Sequence, residues 1–141
     1  MPLPKDVVEA FNALGATKIL CTLDNEGNVH AAPLGSLRAN LDGSTLTFNE
    51  SSTVGTPKRL TYMRENAKTA VAVVVARFEE NVKGYCVRCK VNGSLTSGQV
   101  YDESVERSVK AGRGKPKAIW ILQPESYKIC TGQDRGKIVK C

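Results

Sequence analysis

The chain has a single histidine, His30, and a single tryptophan, Trp120. One imidazole leaves little from which to build a four-ligand zinc site or a serine–histidine–acid constellation, and no paired-carboxylate arrangement is evident. No apolar run approaches the roughly 20 residues that span a bilayer. The N-terminal MPLPKDVVEAF lacks the basic-then-apolar order of a secretory signal. A cytoplasmic protein without a membrane partner is therefore expected. The five cysteines, Cys21, Cys86, Cys89, Cys130 and Cys141, are odd in number and irregular in spacing, which argues against a disulfide framework. Cys86-Val87-Arg88-Cys89 has the spacing of a redox or zinc pair. It lies, however, inside the strand-like run GYCVRCKVNGSL, where residues three apart point to opposite faces. No metal site is expected, and there is neither an internal repeat nor a low-complexity linker.

What the chain does have is 141 residues, 41% of them apolar and evenly spread, enough for one domain over residues 1–141. The formal charge of +6 favours anionic partners without choosing among them. Arg107, Lys110, Arg113, Lys115 and Lys117 crowd into RSVKAGRGKPK. No aromatic residues are interleaved there for base stacking, so the stretch reads as a solvated loop and no nucleic-acid partner is expected.

The stretch from Thr45 to Asn66 is the most informative. Leu46 and Phe48 alternate with Thr45, Thr47 and Asn49 as in a strand. A small-residue loop, Glu50 to Gly55, follows, and then Thr56 can cap a helix with Pro57 at its first position. Leu60, Met63 and Ala67 give that helix an apolar stripe. Its free N–H groups, its dipole and Lys58 make an anion site. The same residues also suit an ordinary connection with a solvated lysine.

Around this stretch, Asp6 to Leu14 reads as an amphipathic helix with Val7, Ala10, Phe11 and Leu14 on its buried face, ended by Gly15. TKILCTL and VHAAPLGSLRANL form a hairpin about Asp24 to Asn28. Pro33 removes a ladder donor, so that side should face an edge or a ligand, and Gly35 leaves the backbone open to close approach. Asp42-Gly43 turns the chain back. KTAVAVVVAR is apolar enough to be buried on both faces. Glu79 to Lys83 is a turn and Gly84 to Leu95 a strand. Asp102 to Ala111 is a helix capped by Asp102 with Val105 and Val109 buried, Lys117 to Ile129 is a last strand, and TGQDRGKIVK is a loop. Six or so antiparallel strands with short helices describe a mainly β, closed barrel with helical plugs.

In this order of features, GNVHAAPLGSLRANLDGSTLTF, SSTVGTPKRLTYMRENAKTAVAV, GYCVRCKVNGSLTSG and AIWILQPESYKICTGQDRGK, the chain resembles the FMN-binding split-barrel proteins related to pyridoxamine 5′-phosphate oxidase. The resemblance covers nearly the whole chain and extends, in size, to the small bacterial FMN-binding proteins of that group. It implies a six-stranded antiparallel Greek-key split barrel. It further implies FMN lying against Ala32, Pro33, Leu34 and Gly35, with Asn49, Glu50, Ser51 and Ser52 flanking the ring and ribityl chain. Thr56 and Lys58 would hold the phosphate, and a homodimer would carry the flavin sites at its subunit interface.

The loop from Asn49 to Thr56 is about two residues longer than that pattern. The oxidase's arginine-and-histidine motif is represented only by Asp134-Arg135, so pyridoxamine phosphate oxidation is not expected. The chemistry, if any, would be the flavin's, with no catalytic side chain assigned. The functions implied are an FMN-dependent oxidoreductase or flavin reductase using NAD(P)H, a non-enzymatic FMN carrier serving a redox partner protein, or a deazaflavin-dependent reductase whose anionic tail meets the basic loop around Arg113.

Overall fold

The computed structural model describes residues 2–23, 26–50 and 69–141. Its elements are α1 (Lys5–Asn12), β1 (Thr17–Leu23), β2 (Val29–Pro33), β3 (Arg38–Ala39), β4 (Leu46–Glu50), β5 (Thr69–Phe78), β6 (Asn81–Leu95), α2 (Gln99–Lys110), β7 (Ala118–Ile129) and β8 (Ile138–Lys140). One antiparallel sheet follows the path β2-β1-β5-β6-β7-β4-β3. β4 pairs with the first half of β7 and β8 with its second half. The return of β4 to the side of β7, across the β5–β6–β7 run, is a Greek-key arrangement. Six strands were expected and eight are present among the described residues, because β3 and β8 are too short, at two and three residues, to show as periodicity. Nor is the barrel closed: β2 and β3 end the path without pairing to one another, leaving a curled, split half-barrel. Register shifts in β6 between Arg88 and Cys89 and between Val91 and Ser94 accompany the curl, as bulges bend a strand.

The inner face of the sheet carries Leu20, Phe48, Ala72, Val74, Val87 and Leu122, covered by Val7, Ala10 and Phe11 of α1. Phe11 is fully buried and contributes about 1.5–3 kcal/mol. Alanines at 70, 72 and 76 leave space on β5 for the helix that packs against it. Asn12, at the end of α1, donates to the Ala39 carbonyl (2.9 Å) and accepts from the Ala39 N–H (3.0 Å). Its amide thus acts as a strand for β3, an element of only two residues. Gly43 sits at φ 75° and donates to the Asn40 carbonyl at 2.8 Å. A Cβ there would strike the Leu3 carbonyl oxygen, so the turn requires glycine.

Several expectations need correction. Leu14 is fully exposed, because Ala13 leaves helical geometry and α1 stops at Asn12. VHAAPLGSLRANL is not one strand: it breaks at Leu34–Leu37, and β3 pairs with β4 instead of β1. β5 is buried on alternate residues only, since no second layer covers its outer face among the described residues; Val71 and Val73 are half-buried and Val75 is 44% exposed. The turn before β6 is just Glu79-Glu80, with Glu79 at φ 55°. α2 starts at Gln99 after Gly98, and it buries Tyr101, Ser104 and Ser108 while Val109 is exposed. The hydroxyls win that face because they satisfy carbonyls of the following loop: Tyr101 donates to Pro116 (3.0 Å) and Ser108 to Gly114 (2.6 Å). The tail turns at Gly132 and Gly136 and then forms β8. Thr17–Leu23 is the strand expected, and Cys86 and Cys89 lie on opposite faces of β6.

Candidate functional site

The turn between β2 and β3 shapes one end of the half-barrel. Leu34 donates to the Lys18 carbonyl (3.0 Å), so Pro33 turns its donorless side outward on an edge strand. Leu37 donates back to Leu34 (3.2 Å), and Asn49 of β4 donates its backbone N–H to the Ser36 hydroxyl (3.0 Å). These bonds hold Gly35 and Ser36 on the wall of a cleft of about 420 Å³, within the size range of small-molecule sites. A smaller cleft of about 200 Å³ adjoins it and takes in Pro33 and Leu34.

Four cations line the larger cleft: Lys18 from β1, Arg38 from β3, Arg107 from α2 and Arg113 from the loop after it. Arg113 is exposed, in keeping with the solvated reading of the basic stretch, yet it is held in a definite place. Its N–H donates to the Ser108 carbonyl (2.9 Å), and its guanidinium packs on Gly35, where a Cβ would lie 3.2 Å from Nη1. The open backbone at Gly35 is thus approached by an arginine. Burial, then Arg38 and Arg113, lower the Lys18 ammonium from its ordinary range. Burial and then Arg107 lower Arg38. Among the described residues the ion pairs are Lys5–Glu9, Lys83–Asp6 and Lys110–Glu106, and none of these involves the four. Like charges gathered in a half-buried cleft repel one another, and an anion there relieves the repulsion.

Of the expected cofactor-binding residues, Pro33, Leu34, Gly35 and Asn49 meet around these two clefts. Ala32 is half-buried in β2 opposite Leu20 and lines neither. Glu50 is buried at the end of β4, its carbonyl accepting from the Lys117 N–H (3.0 Å). Ser51, Ser52, Thr56 and Lys58 lie outside the described residues. Sequence reasoning missed Lys18, Arg38 and Arg107. The crowding of Arg107 and Arg113 was the one available signal, and nothing in the sequence linked it to β1 and β3. Among the described residues, no three metal-ligating side chains come together and no helix is long and apolar enough to cross a membrane.

An open antiparallel half-barrel with a cation-lined cleft at the end of its sheet defines a split-barrel fold. Solved structures share this architecture. Group A Streptococcus HupZ superposes with a TM-score of 0.70 at 20% identity, covering 97% of this chain and 98% of that one. An FMN-binding protein from Syntrophomonas wolfei gives 0.71 at 17% identity, over 89% and 84%. A candidate pyridoxamine 5′-phosphate oxidase from Lactobacillus delbrueckii gives 0.59 at 19% identity, over 89% and 93%. The fold is that of the split barrels related to pyridoxamine 5′-phosphate oxidase, as the sequence resemblance implied. A haem-binding protein from Mycobacterium smegmatis and an F420 reductase also carry it, so the fold does not by itself choose a cofactor. No protein-family model matches the sequence, and neither does any curated protein.

Proposed function

We propose that the protein binds FMN and acts as an oxidoreductase, a flavin reductase drawing on NAD(P)H. The ring lies against Ala32 to Gly35, flanked by Asn49, Glu50, Ser51 and Ser52, with the phosphate on Thr56 and Lys58. The observation that carries this reading is the cleft: an open backbone turn, polar side chains (among them Ser36 and Asn49) and four cations suit a flat polar ring with an anionic tail. When bound, FMN supplies hydride or electron transfer. The chain's own groups bind and orient it, and the cations favour negative charge at the site. A second copy covers the half-buried outer face of Val71, Val73 and Val75 and completes the sites in a cytoplasmic homodimer.

Arg113 gives specific support to a second reading. With Arg107 beside it at the cleft, the basic loop offers more charge than one phosphate uses, as a deazaflavin with a longer anionic tail would require. The visible spectrum of freshly purified protein and the identity of its extracted chromophore test both. FMN with NAD(P)H turnover supports the enzyme, and FMN without turnover supports a carrier serving a redox protein. An extracted deazaflavin selects the second reading, and haem or a colourless, flavin-indifferent protein refutes both.

A further inference from the structure

The C-x-x-C spacing couples Cys86 to Cys89, but the sheet separates them. Cys89 is buried, its Sγ 3.6 Å from the Val87 carbonyl, while Cys86 stands half-buried on the outer face. The register of β6 on β7 brings a different partner. Cys86 lies opposite Lys128, and the Cys130 N–H donates to the Gly84 carbonyl (2.9 Å), so Cys86 and Cys130 are diagonal neighbours on one face. Their Sγ atoms are 3.2 Å apart. Gly84 also donates its N–H to the Thr131 hydroxyl (3.0 Å), which holds the segment after β7 in place. Closing the sulfurs to the bonded distance of about 2.05 Å takes a movement of about 1 Å.

We propose that Cys86 and Cys130, on the outer face that Cys86 shares with its register partner Val73, form a dithiol site that a small-molecule disulfide, such as oxidised glutathione, converts reversibly into an intramolecular disulfide while no second copy covers that face. One of the two thiols loses its proton and attacks one sulfur of the small disulfide, expelling a thiolate that takes up a proton. The other thiol then loses its proton and attacks the protein sulfur of the mixed disulfide, expelling the second thiolate, which is protonated in turn. Two protein thiols are oxidised and one disulfide is reduced to two thiols, so atoms and electrons balance. Burial and then the neighbouring Cys130 thiol push the Cys86 thiol up, against a smaller opposing effect of Lys128. The bond ties β6 to the turn that leads into β8 and joins residues 44 positions apart. Such a closure restricts the unfolded chain.

Treating the reduced full-length protein, diluted until light scattering gives a monomer, with oxidised glutathione and digesting it with trypsin without reductant should yield Gly84–Arg88 joined to Ile129–Arg135, lighter by two hydrogens than the separate peptides. Dithiothreitol should release both. The oxidised protein should melt roughly 5–15 °C above the reduced form, a shift absent in Cys130→Ser. Glutathione left on Cys86 or Cys130 of the wild type would overturn the assignment. So would a link from Cys86 to Cys89 or Cys141, or thiols that stay unmodified. The peptide map needs no substitution, so it stands even if a variant folds poorly.

Discussion

Replacing Lys18 with methionine keeps an apolar stem and deletes the charge, and two opposite effects should follow. In the free protein, burial, then Arg38 and Arg113, hold the ammonium below the ordinary lysine value of about 10.5. A base with a depressed folded-state pKa binds more protons when unfolded, so stability rises with pH between the folded and the unfolded value. Below the folded value the whole cost of the charge is present. Deleting it should therefore stabilise the ligand-free protein at neutral pH. Lys18 is half-exposed and water screens the repulsion, so the gain should stay below about 1 kcal/mol, a rise in Tm of roughly 2–4 °C. With an anion in the cleft the sign reverses. A charge-assisted contact contributes about 1.5–3 kcal/mol, so FMN should bind roughly ten- to a hundred-fold more weakly. Thermal scans without ligand and FMN titrations measure the two effects separately. The stability difference should also shrink as pH approaches 10.5. A lower Tm with unchanged FMN affinity would refute the reasoning, since Lys18 would then be packing and not part of an anion site.

Gly43→Ala places a Cβ against the Leu3 carbonyl at φ 75° and should cost about 2–4 kcal/mol, read as a lower urea midpoint with unchanged slope; an unaltered midpoint would contradict the turn. Lys58→Ala should weaken FMN roughly ten- to a hundred-fold and leave riboflavin nearly unaffected, while equal weakening of both would remove Lys58 from the phosphate site. Light scattering at low micromolar concentration should give a dimer, because the outer face around Val73 and Val75 needs a cover; a monomer would count against the interface.

The local order of this chain was legible because each element is written in neighbouring residues. The alternation around Leu46 and Phe48, the β-rich TKILCTL and the turn at Asp42-Gly43 all fall within a few positions and follow from backbone geometry. The faces of α2 were misread for a physical reason: valine is the more apolar residue, but Tyr101 and Ser108 had carbonyls to satisfy in a loop that folds back on the helix. The break after Pro33 depends on Asn12, which holds β3 from 27 residues away. Composition determined that the protein favours anions, because a net charge of +6 needs no fold to state it. Where that charge acts was decided by tertiary structure alone. Lys18, Arg38 and the Arg107–Arg113 stretch come from three separate segments, and only the curl of the sheet, with α2 beside its open end, sets them around one cleft. The same holds for sulfur, since spacing in the chain points Cys86 toward Cys89 whereas pairing between strands sets it against Cys130.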